Sequence, residues 1–400
     1  MLREFHEYQP FDMGLLLFPG IVLFLSLFAL CYLGSKSLAI AWSIATIKTA
    51  LFILYFGVYF DGTYTSHDDG NYLITGQRLY QLFSGDISLI GLSQIQNIVG
   101  GAHIIYNLIN AIAFLLFGEF YFSPVVVNII VSALTSVVSV TIIKQQKIIQ
   151  EPQLKYFFLF FCLHPELLSW STVFNGKDTL VLFVNVLLLY SVSLLTLRKR
   201  MAALFTGFLA VLALLHLRFY VPLIFGLAFS VHLIICEKLS LKKVLSFWLV
   251  GSIFLYFVVP WGSLGFVADL YAGSFVNPLI GAVHFMLTPR PFFTDKIHGF
   301  LNFASIVNWI LFPAFLIGIY AGIKSRNRFI DFLFIYLLMF VMFYAGFYAL
   351  NGPRHRLQLL LAISTFQFIG LRWLAQQMLL PRRTGALQNS LNRLIGKLSS

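Results

Sequence analysis

The amino-acid sequence predicts an all-α polytopic membrane protein with about 11 transmembrane helices. Hydrophobic residues make up 59% of the chain and charged residues only 10%, whereas an ordinary globular domain is about 25% charged. The 44 phenylalanines are too many for the interior of a soluble protein of 400 residues. Lipid, however, accepts apolar side chains on the outside of the molecule, and apolar runs of membrane-spanning length recur along the whole chain.

Eleven apolar runs come close to the length of about 20 residues that a membrane-spanning helix needs. In chain order they are 14–34, 38–60, 120–143, 157–174, 179–197, 201–217, 221–236, 244–262, 303–323, 329–350 and 358–380. With the outer loops 61–119 and 263–302, they form a single transmembrane domain over 1–380. Residues 381–400 are predicted to form a short cytoplasmic amphipathic tail, because leucines recur on one helical face beside two basic residues.

Short clusters of lysine and arginine between the apolar runs predict the orientation, because cytoplasmic turns are enriched in these residues. The clusters are Lys36; Lys144, Lys147 and Lys155; Arg198, Lys199 and Arg200; Lys238, Lys242 and Lys243; Lys324, Arg326 and Arg328; and Arg382, Arg383, Arg393 and Lys397. All of them fall on one side only if a further apolar run, 102–118, does not cross the membrane. The N-terminus is then outside and the C-terminus is in the cytoplasm.

The run 102–118 carries a polar stripe. His103, Asn107 and Asn110 stand at i, i+4 and i+7, which places them on one face of a helix. We therefore predict an amphipathic juxtamembrane helix that lies flat in the interface. The alternative is a short spanning helix whose polar face turns toward the bundle.

Composition and motifs exclude several classes of function. The formal net charge of +12 does not indicate nucleic-acid binding, because the basic residues are scattered in short clusters rather than gathered in one domain. No Gly-rich phosphate loop, HExxH, GxSxG or zinc-ligand spacing occurs, so nucleotide use and the common hydrolase classes have no support. Cys31, Cys162 and Cys236 lie in apolar segments and are predicted to act as small membrane hydrophobes.

Ionisable residues concentrate in the predicted outer loops, where each is costly unless it is paired or solvated. They are Asp61, His67, Asp68, Asp69, Arg78, Asp86, Glu119, Lys177, Asp178, Arg218, Arg290, Arg354, His355 and Arg356. A carboxylate can take a proton from a hydroxyl, and guanidinium groups pair with phosphate. Acids early in the chain and bases in later turns therefore indicate an acid–base reaction on a phosphate-bearing substrate. The alternative is that HDDGN and NGPRHR are ordinary turns, with Asp68 as a helix cap.

The outer-loop sequence HDDGNYLITGQRLYQLFSGD resembles the first-loop motif of the GT-C glycosyltransferases, which are multi-spanning enzymes that use polyprenyl-phosphate-linked sugars. Asp68 and Asp69 match the paired acids of that motif, and Tyr72 matches its tyrosine. Gly85 matches its glycine. The segment AIAFLLFGEFYFSPVVVNIIVSAL is similar to the juxtamembrane helix and next span of the family, and HPELLSWSTVFNGKDTLVLF to its turn before a span that opens with an acid, here Asp178. RHRLQLLLAISTFQFIG resembles the late turn of the family before a closing span. The chain as a whole resembles the protein mannosyltransferases and aminoarabinose transferases of this superfamily.

The resemblance implies a GT-C-like fold and sugar transfer with inversion at the anomeric carbon. Asp68 would activate the acceptor hydroxyl, and Asp69 would assist or hold a divalent cation, Mg²⁺ or Mn²⁺. The implied donor is a polyprenyl-phosphate sugar and the acceptor a glycan or glycolipid, at a bacterial inner (cytoplasmic) membrane with the active site facing outward. The implied phosphate-binding residues are Lys177, Arg218, Arg354 and Arg356, and the further site candidates are Tyr72, Asp178, His355 and Arg290.

Three other functions fit a chain of this kind. In an O-antigen-type polysaccharide polymerase or ligase, arginine-rich late loops would carry the site instead of an acidic first loop. A lipid-linked sugar transporter or flippase would have mid-membrane charges or paired broken helices. Lys48 is the clearest mid-membrane charge, and it is predicted to snorkel or to face the bundle. A structural scaffold is the third alternative.

Overall fold

The computed structural model describes residues 10–62, 67–85, 95, 98–99, 103–246, 248–249, 277–292, 296–347 and 352–378, and the regular structure in these ranges is helical, with no strand. In chain order the helices are α1 (Met13–Ser35), α2 (Leu38–Leu54), α3 (His67–Ser84), α4 (Ile104–Phe117), α5 (Phe122–Gln145), α6 (Glu151–Cys162), α7 (Pro165–Thr172), α8 (Asp178–Thr196), α9 (Arg200–Arg218), α10 (Tyr220–Ile235), α11 (Pro278–Leu287), α12 (Asn302–Lys324), α13 (Arg328–Gly346) and α14 (Pro353–Met378). A π-helical turn, Tyr55–Tyr59, extends α2, and a 3₁₀ segment, Lys296–Leu301, precedes α12.

Eight helices in the described ranges are long and apolar enough to cross a membrane: α1, α2 with its π-helical turn, α5, α8, α9, α12, α13 and α14. They match eight of the predicted spans. Large apolar side chains on their outer faces are exposed, among them Leu17, Phe205 and Ile310. Contiguous apolar surface of this kind indicates contact with lipid. The all-α polytopic membrane fold predicted from composition is confirmed.

One predicted span, 157–174, is broken into two short helices, α6 and α7. The break falls at Pro165, which has no backbone N–H and whose ring clashes with the preceding helical turn. His164 caps the new helix, because its Nδ1 accepts a hydrogen bond from the backbone N of Glu166 at 3.3 Å. The prediction of one continuous helix was wrong here, although the dipeptide His–Pro in the sequence marks the break.

Four other predicted segments differ in how much of them is described. The span 221–236 forms α10, which has 16 residues. The span 244–262 lies mostly outside the described residues, and the tail 381–400 lies wholly outside them. In the predicted loop 263–302, the described part contains α11, and a side-chain hydrogen bond of 2.9 Å from Asn308 to the carbonyl of Met286 ties α11 to α12.

Five helices are followed by a basic residue with a left-handed backbone conformation. The residues, which follow α1, α5, α8, α10 and α12, are Lys36 (φ 54°), Lys147 (φ 52°), Arg198 (φ 61°), Lys238 (φ 52°) and Arg326 (φ 55°). Glycine is the usual residue at such helix ends, because it adopts a positive φ without strain. A cation there interacts favourably with the helix dipole and with anionic head groups.

Hydrogen bonds between these turns bring the helix ends together. The Asn327 side chain, before α13, donates to the carbonyl of Gln146, after α5, at 3.0 Å. Gln146 donates through Nε2 to Ser193 Oγ, near the end of α8, at 2.8 Å. Arg328, at the start of α13, donates to Glu237, after α10, at 3.0 Å. We call this end of the bundle the basic end and the opposite end the site end; that the basic end faces the cytoplasm stays a prediction.

The helix α4 lies across the site end. Its 14 residues span about 21 Å, less than the hydrocarbon core of about 30 Å. Phe117, at its last turn, contacts Phe18 near the start of α1, with 6.2 Å between ring centroids. His103, just before α4, contacts Lys177 just before α8. Both ends of α4 are therefore at the same end of the bundle, as expected for a juxtamembrane helix.

The polar stripe of α4 faces the protein interior. Asn107 and Asn110 are buried, while Leu115 and Leu116 are more than half exposed. α4 packs closely on α3, because a Cβ added to Gly76 would lie 2.4 Å from the Cβ of Asn110. The stripe is therefore available to build a polar network inside the site end.

Two glycines bring α12 and α14 into close contact. A Cβ on Gly318 would lie 1.7 Å from the carbonyl oxygen of Phe366, and one on Gly370 would lie 1.8 Å from that of Ala314. Small residues let transmembrane helices approach in this way. The contact fixes α14, whose first turn carries residues 354–356.

Candidate active site

The start of α8 brings a carboxylate and two arginines together. Asp178 is 2% exposed and accepts a hydrogen bond from Nη2 of Arg218, at the end of α9. Its other oxygen accepts from Nε of Arg354, at the start of α14, at 2.8 Å. The dipole of α8 favours negative charge at this position. Two of the four predicted phosphate-binding residues therefore meet on a third predicted site residue.

In the described contacts of the cluster, two guanidinium groups share the one carboxylate of Asp178. The two arginines differ in access, since 5% of the Arg218 side chain and 24% of the Arg354 side chain are exposed. A ligand that approaches from outside the bundle therefore reaches Arg354 first. Arg218 lies behind it and holds the carboxylate.

Lys177 adds another cation next to this cluster. Its Nζ lies 2.6 Å from Nε2 of His103 and 5.8 Å from the centroid of the Tyr72 ring. Tyr72 in turn packs edge-on against His103, with 5.8 Å between ring centroids. The predicted site residues Tyr72 and Lys177 are thus brought together by α3, the start of α4 and the turn before α8.

Asp69, the second acid of the first-loop motif, is fully buried at the start of α3. The hydroxyl of Tyr121 donates to its Oδ2 at 2.9 Å, and the backbone N of Gly70 donates to its Oδ1 at 2.8 Å. Burial raises the pKa of Tyr121 well above its usual range, and the Asp69 carboxylate raises it further. The phenol therefore stays protonated and acts as a donor that fixes Asp69.

A network of buried amides and hydroxyls joins these elements. The Tyr106 hydroxyl donates to Asn175 Oδ1 at 2.7 Å and accepts from Asn128 Nδ2 at 2.9 Å. Asn175 Nδ2 donates to Asn110 Oδ1 at 3.0 Å and lies 3.4 Å from the backbone oxygen of Asp69. These contacts fix α3, α4 and α5 relative to the turn that carries Lys177 and Asp178. The sequence interpretation missed Asn128 and Asn175, although an amide within an apolar helix and the Asn of FNGKD were available signals.

Arg356, also predicted to bind phosphate, donates hydrogen bonds to other groups of the protein. It is 1% exposed, and it donates to Glu166 through Nε at 2.6 Å and through Nη2. Its Nη1 donates to the carbonyl oxygens of Met286 at 2.8 Å and Thr288 at 2.6 Å. The guanidinium therefore connects α14 with α7 and with the end of α11, and it does not face the Asp178 cluster.

The remaining two predicted site residues, His355 and Arg290, lie in different surroundings. His355 adjoins Arg354 in the chain, and its ring packs against Tyr344 with 5.1 Å between centroids. Its Nδ1 is buried without a hydrogen-bond partner in the part of the chain that the structure describes. Arg290 is exposed in the segment after α11 and joins none of the described contacts of the cluster.

The position of the predicted base, Asp68, is described only for its backbone. Asp68 belongs to the first turn of α3, directly before the buried Asp69, but its side chain lies outside the described residues. Position 68 precedes Tyr72 by four residues, which is about one helical turn. Its role as the base stays a prediction.

Both carboxylate oxygens of Asp69 accept a hydrogen bond, one from a hydroxyl and one from a backbone N–H. Mg²⁺ is usually bound by carboxylate oxygens together with water. No group of three His, Cys, Asp or Glu side chains in the described ranges could hold a metal ion. A divalent cation held by Asp69 stays a prediction, and the Asp68 side chain, which could complete such a site, lies outside the described residues.

Comparison with known proteins gives one structural relative. No protein-family model matches the chain, and no curated protein sequence matches it. The crystal structure of ArnT from Cupriavidus metallidurans in the apo state is similar, with a TM-score of 0.56 and 15% sequence identity over 86% of this chain. The match covers 63% of the length of ArnT, whose fold is of the GT-C type. The chain therefore has a GT-C-like fold, as the resemblance of its first loop implied.

Proposed function

We propose that this protein is a membrane glycosyltransferase of the GT-C type, which moves a sugar from a polyprenyl-phosphate-linked donor to a lipid-linked or surface glycan acceptor. The observation that carries the proposal is the pair of arginines on Asp178, which places two guanidinium groups together at the site end. The paired acids of the first loop, Asp68 and Asp69, begin a helix at the same end. The fold supports this proposal but does not imply it, because one fold can host many functions.

In the proposed reaction, Asp68 takes the proton of the acceptor hydroxyl. The hydroxyl oxygen attacks the anomeric carbon from the face opposite the phosphate, so that the configuration inverts. The bond between the anomeric carbon and the phosphate oxygen breaks, and a polyprenyl phosphate leaves with one more negative charge than it had in the donor. A cation held near that oxygen lowers the barrier, because the charge develops in the transition state.

Arg354 is proposed to contact the leaving phosphate, because it is the more exposed arginine of the cluster and a guanidinium can pair with phosphate bidentately. Lys177 supplies a second cation from the turn next to Asp178. Asp178 offsets the repulsion between the two guanidinium groups and holds Arg354 through Nε. Arg218 is a positioning residue, since it is buried behind this carboxylate.

The experiment that tests the function is an analysis of lipid-linked glycans in cells that lack the protein. We expect a polyprenyl-phosphate-linked monosaccharide to accumulate and to disappear on complementation with the native chain. Asp68→Asn keeps the size of the side chain and removes the proton acceptor, so turnover is expected to fall by about 10²–10⁴-fold. Asp61→Asn changes an exposed acid of the same loop and is the matched control. This variant is expected to complement fully.

Other outcomes distinguish the alternatives. Accumulation of complete repeat units on lipid would indicate a polymerase or ligase, and unchanged lipid-linked glycans would exclude both transferase and polymerase. Full activity of both Asp68→Asn and Asp69→Asn would remove the glycosyltransferase interpretation of the first loop. A dead Asp69→Asn beside an active Asp68→Asn would move the base by one residue.

A further inference from the structure

The basic end contains a cleft of about 430 Å³, formed by the turn after α5, the end of α12, the start of α13 and the last turns of α14. It is at the opposite end of the bundle from the proposed active site, so it serves a different ligand. Its polar side chains are Lys147, Ser325, Asn327, Arg372 and Gln376. Two are cations, and no acidic side chain of the described ranges lines the cleft.

The two cations differ in their surroundings. Arg372 is half-buried, and its Nε is shielded from solvent without a hydrogen-bond partner in the described part of the chain. A buried donor of this kind is costly unless a ligand satisfies it. Lys147 is exposed, and its left-handed turn is fixed by a hydrogen bond of 3.1 Å from its own N to the carbonyl of Lys144 and one of 3.2 Å from Ile148 N to the carbonyl of Ile143.

Two other basic residues of the same end form ion pairs with acids outside the cleft. Lys144 pairs with Glu151 at 3.0 Å, and Arg328 pairs with Glu237 at 3.0 Å. No such ion pair is found in the described ranges for either cation of the cleft. The cleft therefore brings together two cations with no described carboxylate partner.

The wall of the cleft toward the membrane interior is apolar. Phe368 and Ile369 of α14 form it, together with Ile330 of α13. From Phe368 to Gln376, α14 rises by about 12 Å, so the cleft runs from the membrane-spanning part of the helix to its end. Trp373 also lines it, and tryptophan is enriched where membrane meets water.

We propose that this cleft binds an anionic phospholipid, with its phosphate at Arg372 and Lys147 and an acyl chain along Phe368 and Ile369. Basic residues next to a membrane attract anionic lipids by charge. A free phosphate would fill only the cationic part and leave the apolar wall uncovered. A zwitterionic lipid carries a cationic group, which Arg372 and Lys147 would repel. Because the lipid contacts α5, α12, α13 and α14 together, its binding stabilises the folded bundle.

Native mass spectrometry of the full chain in detergent, titrated with short-chain phosphatidylglycerol, tests the proposal. Each of Arg372→Gln and Lys147→Gln is expected to weaken binding about fivefold, and the double variant about 25-fold. Lys155→Gln is the matched control, because Lys155 is exposed at the same end and does not line the cleft. It is expected to bind like the native chain. Lys147 is exposed, so its variant keeps the test valid if Arg372→Gln fails to fold.

Two further ligands distinguish the sources of the phosphate. Phosphatidylcholine of the same chain length is expected to bind the native chain about as weakly as phosphatidylglycerol binds the double variant. Equimolar inorganic phosphate is expected to leave bound phosphatidylglycerol in place. Equal binding of the two lipids, displacement by inorganic phosphate, or the same loss of affinity in Lys155→Gln would each overturn the proposal.

Discussion

At the site end, Arg218 and Asp178 form an ion pair in which 5% and 1% of the side chains are exposed. At the basic end, Lys144 and Glu151 form an ion pair at 3.0 Å in which 61% and 76% are exposed. The chemical groups are alike, but the surroundings differ. An exposed pair contributes about 0–1 kcal/mol to the free energy of unfolding, whereas each member of a buried pair depends on the other to offset a large desolvation cost.

This difference in burial shows that basic residues have two roles in the chain. The cations of the basic end stand at helix ends, where they set orientation and meet head groups, so single substitutions there are expected to be tolerated. At the site end, Arg218, Arg354 and Arg356 are each tied to a particular buried acid.

The first test asks which end is outside, and its expected effect is all-or-none. We expect Arg290→Cys to be labelled by a membrane-impermeant maleimide in intact cells, because Arg290 is exposed beyond α11. Arg198→Cys, after α8, is expected to be labelled only after permeabilisation. Cys236 is half-buried near the basic end and is replaced by serine to remove background, while the other two cysteines are buried. The reverse pattern would contradict the predicted orientation and an outward-facing site.

The second test measures the difference between a buried and an exposed acid. Glu166→Gln keeps the size of the side chain but leaves the Arg356 guanidinium buried without its carboxylate. We expect the free energy of unfolding to fall by about 3–5 kcal/mol, measured by unfolding in detergent. Glu151→Gln at the basic end is the control, with an expected loss of about 0–1 kcal/mol. Equal losses in both variants would show that burial does not separate the two ends.

The third test concerns Arg354, which is proposed to contact the phosphate and not to stabilise the fold. Arg354→Lys keeps the charge but loses the fork of parallel donors. We expect release of polyprenyl phosphate by the purified enzyme to slow by about tenfold, the worth of one charge-assisted hydrogen bond, with little change in melting temperature. Arg198→Gln changes an exposed arginine at the basic end, and this control variant is expected to retain native turnover. A fully active Arg354→Lys would exclude the bidentate contact.

Features that depend on local composition were predictable from the sequence. Hydropathy located α1, α2, α5 and five other spans, because each has to match the thickness of a bilayer by itself. The positions of the basic clusters excluded 102–118 as a span, since one more crossing would have reversed all later turns. The broken helix at Pro165 was missed because two short apolar helices in series have the same composition as one long helix.

Features that depend on packing between distant segments were not predictable. Arg354 and Arg356 are two residues apart at the start of α14, which turns them about 200° away from each other around the helix axis. One therefore reaches Asp178 and the other reaches Glu166. The sequence indicated that both arginines were near the site, but which face of α14 meets α8 depends on contacts such as that of Gly370 with α12.

The last and smallest test examines the donor that fixes Asp69. Tyr121→Phe removes the hydroxyl that donates to Asp69 Oδ2 at 2.9 Å, and the backbone N of Gly70 remains. We expect the free energy of unfolding to fall by about 1 kcal/mol, the usual net worth of one intramolecular hydrogen bond. Tyr156→Phe in α6 is the matched control, because the Tyr156 side chain is largely exposed near the basic end and its hydroxyl can be replaced by water.

The pH dependence of this test separates a hydrogen bond from a charge effect. Burial and the Asp69 carboxylate raise the pKa of Tyr121 above its ordinary value of 10.0, so the phenol is protonated in the folded protein throughout the neutral range. Its contribution to stability is therefore fully present below the pKa of an unfolded tyrosine and is lost only as the pH rises through the folded pKa. The difference in free energy of unfolding between native chain and Tyr121→Phe is thus expected to be constant from pH 6 to pH 9, which are about four units and one unit below the unfolded value. A difference that changed within that range would mean that another group near Asp69 titrates, and that Tyr121 is not the donor that fixes this carboxylate.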